Sequence, residues 1–316
     1  MVAKVFIDGE AGTTGLQIRE RLAPRRDLQL LSIPQESRKD VGVRAALLNE
    51  ADIAILCLPD DAARQSVSLI DNERTKVIDA STAHRIADGW AYGFAEMSRE
   101  QSAAIASARR VANPGCWPQG VIATVRPLIE AGLLPADYPL SVGGVTGYSG
   151  GGRTMIEDYE QQGDDANEFQ LYGLTFKHKH LPEMQEYAKL ATAPLFQPVI
   201  GNFRQGMVTT VPLQLGTLAK VPTGKDLHAA IADYFAAIPD GFVEVAPYEE
   251  AERSAELNPE LYNDTNRMRL HVFANDAKAQ ALLVAVYDNL GKGASGAAVQ
   301  NLNLMLGVDA ATSLAA

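Results

Sequence analysis

Short apolar runs alternate with helical-period stretches from the first residues as far as Pro114. Val5-Phe6-Ile7 predicts a strand, followed by a Gly-rich turn and a helical pattern over 16–22. Residues 28–33 predict a second strand, and Asp52-Ile53-Ala54-Ile55-Leu56-Cys57-Leu58 has the nearly unbroken apolar character of a strand buried on both faces. Lys76-Val77-Ile78-Asp79 and Arg110-Val111-Ala112 extend the series. Strand and helix in alternation predict crossover connections and a parallel sheet with helices on both faces, an α/β fold.

Beyond Pro118 the texture changes. A helix is predicted over 120–131, then a strand over 140–145 and the loop Ser149-Gly150-Gly151-Gly152-Arg153. Period-two runs at 207–211, 268–272 and 280–286 predict a second sheet, mixed or antiparallel, and 297–306 is again helical. There is no internal repeat and no low-complexity linker.

Composition narrows the function. With 47% apolar and 21% charged residues the chain reads as a soluble globular protein. A net charge of −11 argues against a nucleic-acid surface, which needs concentrated Lys and Arg. No apolar run reaches the length of a membrane span, and the N-terminus has no secretory-signal pattern. Two cysteines in 316 residues make no disulfide framework, so a reducing, cytoplasmic setting is expected.

Several segments carry candidate chemistry. The turn Gly9-Glu10-Ala11-Gly12-Thr13-Thr14-Gly15 follows the first strand directly. Its glycines allow close approach to a pyrophosphate at the N-terminus of the next helix, with Gly9, Gly12, Thr13, Thr14 and Gly15 as the contacts. A tight structural turn would use glycine as well. After the second strand, Ser32, Arg38 and Lys39 stand where an acidic residue would select NAD, and favour the 2′-phosphate of NADP despite Glu36 among them.

Cys116, in Asn113-Pro114-Gly115-Cys116-Trp117-Pro118-Gln119-Gly120, follows a strand and a Pro-Gly turn and precedes a helix. The positive end of a helix dipole raises the thiolate fraction, so Cys116 is the candidate nucleophile. Cys57, inside an apolar run, reads as a small core residue. Of five histidines, His178 and His180 stand together in Phe176-Lys177-His178-Lys179-His180-Leu181-Pro182-Glu183, as proton carriers or as an ordinary basic surface. No further His or Cys cluster completes a metal site with them, so none is expected. Ser149 to Arg153 is a candidate anion loop, and 295–301 is a similar Gly-containing entry to a helix.

Taken together, these segments resemble N-acetyl-gamma-glutamyl-phosphate reductase in its short, type 2 form, over nearly the whole chain. The resemblance rests on Gly9 to Gly15, Asn113 to Cys116, Ser149 to Arg153, His178 to Glu183 and Gly296 to Asn301. It implies a Rossmann-like NADP-binding domain, residues 1–117 with 293–316, and an α+β catalytic and oligomerisation domain of the glyceraldehyde-phosphate-dehydrogenase type, residues 118–292. It places the nucleophile on Cys116 and the acid/base on His180, with His178 as the alternative. Asn113, Ser149, Arg153 and His178 become substrate contacts; Gly296 and Asn301 join the cofactor site with Ser32 and Arg38. The implied reaction is NADPH-dependent reductive dephosphorylation of an acyl phosphate through a cysteine thioester, in arginine biosynthesis, by a homotetramer or homodimer. In that reaction Gln119 or main-chain N–H groups beside Cys116 would hold the oxyanion. Longer relatives carry an Arg-Gly pair where this chain has Asn202-Phe203-Arg204-Gln205-Gly206, so Arg204 is no more than a substrate contact. The rival readings are aspartate-semialdehyde dehydrogenase, whose nucleophile lies in an Asn-Cys pattern, and a non-catalytic NADP-binding sensor.

Overall fold

A computed structural model describes residues 2–238, 240–248 and 257–315, so the chain ends and the stretch around 250 of the expected division lie outside it. The chain forms two compact units. One holds the chain up to Ala95, then Glu100–Pro114 and Ala294–Ala315; the other holds Glu96–Arg99 and Gly115–Gly293.

The first unit is built on β1 (Ala3–Asp8), α1 (Thr13–Leu22), β2 (Leu28–Leu31), α2 (Val41–Glu50), β3 (Ile53–Leu56), α3 (Asp60–Ser68), β4 (Lys76–Asp79), β5 (Ala91–Tyr92), α4 (Gln101–Ser107) and β6 (Arg110–Ala112). Among the described residues its six strands are all parallel, in the order β2-β1-β3-β4-β6-β5. Both faces are buried, which is why the strands read as continuous apolar runs. Val5, Ile7, Ile53, Ile55 and Ile78 point to one side, where α1 and the closing helix (Gly296–Leu306) supply Ile18, Leu22, Val299 and Leu302. Phe6, Ala54, Leu56 and Val77 point to the other, against Leu48 of α2 and Ala63 of α3.

The second unit begins with α5 (Cys116–Glu130) and β7 (Ser141–Gly147), followed by α6 (Arg153–Gln162), β8 (Phe169–Leu171), α7 (Leu181–Tyr187), β9 (Leu195–Gly201) and β10 (Met207–Gln214). It continues with α8 (Gly224–Ala236), β11 (Val243–Val245), β12 (Met268–Asn275) and β13 (Gln280–Tyr287). Among the described residues its sheet has seven strands in the order β11-β12-β13-β10-β7-β9-β8 and is mixed: β10, β12 and β13 pair antiparallel, whereas β7 and β9 run parallel. Helix α5 packs on β10 and β13, and α8 packs beside it. The helix begins at Cys116, four residues before the predicted start. Pro118 lies in its first turn, where a missing N–H costs nothing, so the proline admits the helix rather than delaying it. Among the described residues no helix is long and apolar enough to cross a membrane.

Candidate active site

In the first unit the chain leaves β1 through Gly9, whose φ of +93° is accessible to glycine and strained for other residues. A Cβ there would lie 2.3 Å from the Cys57 carbonyl oxygen, and one on Gly15 would lie 2.5 Å from that of Gly9. The turn is therefore closed against β3 and against itself. Helix α1 starts at Thr13 and Thr14 with no side-chain cap on Gly12 and no acidic residue in its first turn, the arrangement that receives an anion at a helix N-terminus.

A cavity of about 390 Å³ opens beside this turn, lined by Gly9, Glu10, Ile33, Arg38, Lys39 and Arg44, among others. The buried Asp8 carboxylate at its base accepts hydrogen bonds from Arg44 (2.9 Å) and Ser66 (2.8 Å). Ser32 and Arg38 are exposed near its mouth. Arg19 of α1, which lies in no motif, joins them: it donates to Glu10 at 2.5 Å and to the Ser32 hydroxyl at 3.2 Å. Asn301 lies elsewhere, fully buried, donating to the Gly93 carbonyl and the Asn113 side chain at 3.0 Å each. Asn113 in turn donates to the Ala294 carbonyl (3.0 Å), next to Ser295 and Gly296. These amides tie the closing helix into the first unit.

In the second unit Cys116 is the first residue of α5, behind an extended Gly115 with no side-chain cap. Three contacts hold this turn. Tyr287 of β13 donates its hydroxyl to the Cys116 carbonyl at 2.7 Å and accepts the Gly120 N–H at 3.2 Å. The buried Glu183 carboxylate accepts the Gly115 N–H at 2.9 Å. Gln119, fully buried, donates to the Lys292 carbonyl at 2.8 Å, so its amide nitrogen serves the scaffold, contrary to the oxyanion role that the resemblance implied.

The histidines are bound into the same cluster. His180 precedes α7, the helix that carries Glu183, and its main-chain N–H donates to His178 Nδ1 at 3.2 Å. His178 therefore accepts at Nδ1, the neutral tautomer protonated on Nε2. The two imidazoles meet edge-on at 4.7 Å, and His178 meets Tyr172 at 5.7 Å. Tyr172 accepts the Trp117 indole N–H at 2.9 Å, one residue from Cys116. Burial raises the pKa of both Tyr172 and Tyr287, and the negative charge of a Cys116 thiolate adds to it, so both remain hydroxyl donors. Burial, followed by the carboxylates of Asp79 and Asp8, pushes the Cys57 thiol up to about 12 and leaves it inert.

Cys116, His178, His180, Tyr172 and Glu183 are thus brought together. Ser149 is buried and accepts from Asn289 at 3.0 Å. Arg153 is exposed at the start of α6 and pairs with Glu157 at 2.6 Å, and Arg204 pairs with Glu160. Among the described residues no group of three or more His, Cys, Asp or Glu side chains is placed to hold a metal ion. Tyr172, Tyr287 and Gly293 carried no sequence signal; Glu183 lay in a motif already singled out, without a role. A Cβ on Gly293 would lie 2.9 Å from that of Cys116. Gly293→Ala is therefore expected to cost about 1–3 kcal/mol through overpacking and to slow alkylation of Cys116, read by thermal melting and iodoacetamide kinetics.

Residues 4–105 match the family described as semialdehyde dehydrogenase, NAD binding domain, and residues 116–289 match semialdehyde dehydrogenase, dimerisation domain. A Chelativorans sp. protein named N-acetyl-gamma-glutamyl-phosphate reductase is 71% identical over 97% of this chain and 99% of its own. The protein of that name from Mesorhizobium japonicum is 69% identical over 98% of this chain and 100% of its own. The chain belongs to the N-acetyl-gamma-glutamyl-phosphate reductase family. A further relative, from Nostoc sp., is 52% identical over 96% of this chain and 97% of its own, and bears the family name with the numeral 2. Solved structures of aspartate-semialdehyde dehydrogenases share the family's fold at low identity. A probable one from Pseudomonas aeruginosa has a TM-score of 0.70 at 16% identity, covering 97% of this chain and 99% of its own. One from Candida albicans, solved with NADP, has a TM-score of 0.67 at 13% identity, with the same coverage.

Proposed function

We propose that this chain reduces N-acetyl-gamma-glutamyl phosphate to the corresponding semialdehyde with NADPH, as a cytoplasmic enzyme of arginine biosynthesis. The observation that carries the reading is the Gly115–Glu183 hydrogen bond, which ties the turn bearing Cys116 to the helix that follows His180. The first unit holds the cofactor: the tight Gly9–Gly15 turn, the uncapped start of α1 and the Arg38-lined cavity fit a phosphorylated dinucleotide. Held by these residues, NADPH would supply the hydride for the reduction.

The second unit carries the acyl transfer. The Cys116 sulfur attacks the acyl carbon, the C–O bond to phosphate breaks, and a thioester remains. His180 donates a proton to the oxyanion of the hemithioacetal and takes it back as the C–S bond breaks, returning the thiolate and releasing the aldehyde. His178, with its Nδ1 engaged, orients His180 and offers Nε2–H to substrate; the Ser149 hydroxyl is a second polar contact. The dimerisation-domain match supports a homodimer or homotetramer, and Pro212, Phe273 and Leu282 around an open groove of about 390 Å³ on β10, β12 and β13 supply apolar surface for a second copy.

His180→Asn is expected to lower kcat by about 10²–10⁴-fold, and His178→Asn far less. Equal losses would reverse or dissolve the assignment. Activity on aspartate semialdehyde, with none on N-acetylglutamate semialdehyde, in the NADP- and phosphate-dependent reverse assay would overturn the substrate.

A further inference from the structure

The end of β2 is where a doubly wound sheet reads the adenosine ribose, and a carboxylate there selects NAD through the ribose hydroxyls. In this chain Ser32 stands at that place, immediately after Leu31. A nearby carboxylate, Glu10 of the nucleotide turn, is already engaged. Arg19 donates to one of its oxygens at 2.5 Å, and Arg38 lies 3.7 Å from the other. The Glu10 side chain is 13% exposed, whereas both guanidinium side chains are 39% exposed, so the anion lies beneath and the cations open outward. Arg19 reaches this point from α1 and also donates to the Ser32 hydroxyl at 3.2 Å; the same nitrogen, Nη1, makes both of its bonds.

Two arginines, one serine hydroxyl and one carboxylate leave a net positive seat. A phosphate dianion fits it through charge-assisted bonds from planar guanidinium forks, and a bare ribose does not need it. We propose that Arg19 is a ligand of the 2′-phosphate of NADPH, and that Glu10 is an internal anion holding the Arg19 guanidinium at Ser32 until the phosphate takes its place. The assignment rests on the NADPH reading above and adds a specificity residue from inside α1. It also explains how a nucleotide turn can carry a glutamate without selecting NAD: the carboxylate is committed to arginine.

Titration calorimetry with 2′,5′-ADP and with 5′-AMP tests this. The wild-type chain binds 2′,5′-ADP the more tightly; no preference there would sink the NADPH reading itself, whatever Arg19 does. Arg19→Leu weakens 2′,5′-ADP by about tenfold, the loss of one charge-assisted contact, and leaves 5′-AMP unchanged, which also reports an intact fold. Unchanged 2′,5′-ADP binding, or equal weakening of both probes, overturns the role of Arg19. Glu10→Gln tightens 2′,5′-ADP several-fold, because the phosphate no longer displaces a carboxylate. Weaker 2′,5′-ADP binding in that variant overturns the exchange.

Discussion

Cys116→Ser is expected to eliminate the burst of phosphate release and to lower turnover by about three orders of magnitude or more. The sulfur stands at the first residue of α5, at the positive end of the helix, with no acidic residue in that first turn. A thiolate profits from this position, and a serine hydroxyl, far less acidic, does not form the corresponding anion at neutral pH. The main-chain contacts from Tyr287 and Glu183 do not depend on the side chain, so the variant keeps its fold and its cofactor affinity. Rapid-quench phosphate measurement separates this outcome from the sensor reading, in which Cys116→Ser changes nothing. Cys57→Ser is the matched control. Its thiol is held protonated by burial and by two carboxylates, so one cysteine reacts rapidly with iodoacetamide in the wild type and none does in Cys116→Ser.

Glu96→Gln is expected to destabilise the second unit by about 3–5 kcal/mol, the cost of stranding one partner of a buried ion pair. Lys292 is fully buried and lies 2.6 Å from the Glu96 carboxylate, which is itself 1% exposed. Glu96 also accepts the Phe242 N–H at 3.0 Å, and the Lys292 ammonium stands 5.6 Å above the Phe242 ring. Burial lowers the pKa of Lys292, and Glu96 offsets part of that shift. Without Glu96 the folded-state pKa falls further below the unfolded value. The unfolded chain then binds the proton more tightly, so the loss is full below the folded-state pKa of Lys292 and shrinks as pH rises from there toward the ordinary lysine range. Denaturant unfolding of Glu96→Gln, with the double variant Glu96→Leu/Lys292→Met recovering most of the loss, checks this. A single variant as stable as the wild type would show that the pair contributes nothing. Lys292 also presents its carbonyl to Gln119 and precedes Gly293, so the pair anchors the wall beside Cys116.

Neither half of this ion pair was visible in the sequence, and the reason is general. A contact between positions 96 and 292 leaves no local period and no spacing. The same holds for Tyr287 on the Cys116 turn, and for Arg19 at Ser32, where a helix side chain crosses to the end of a strand. Other features were hidden by brevity or exposure. The two-residue β5 is too short for a pattern, and β8 has all three residues exposed, so its side chains do not alternate between core and solvent. Strand β9 contains Pro198, a residue that argues against a strand when read locally.

What the chain order alone determined was the parallel sheet of the first unit, the two glycine-framed turns, and the reactive setting of Cys116 near a pair of histidines. Each is a local property: strands buried on both faces read as apolar runs, and turns need glycine where a Cβ would strike backbone. The tertiary structure decided which donors and acceptors those segments meet. It committed Gln119 to the scaffold, linked Glu183 to the Cys116 turn, exposed Arg153 and engaged Glu10 with arginine. Such pairings follow from packing between distant segments, where desolvation selects partners that no stretch of sequence displays.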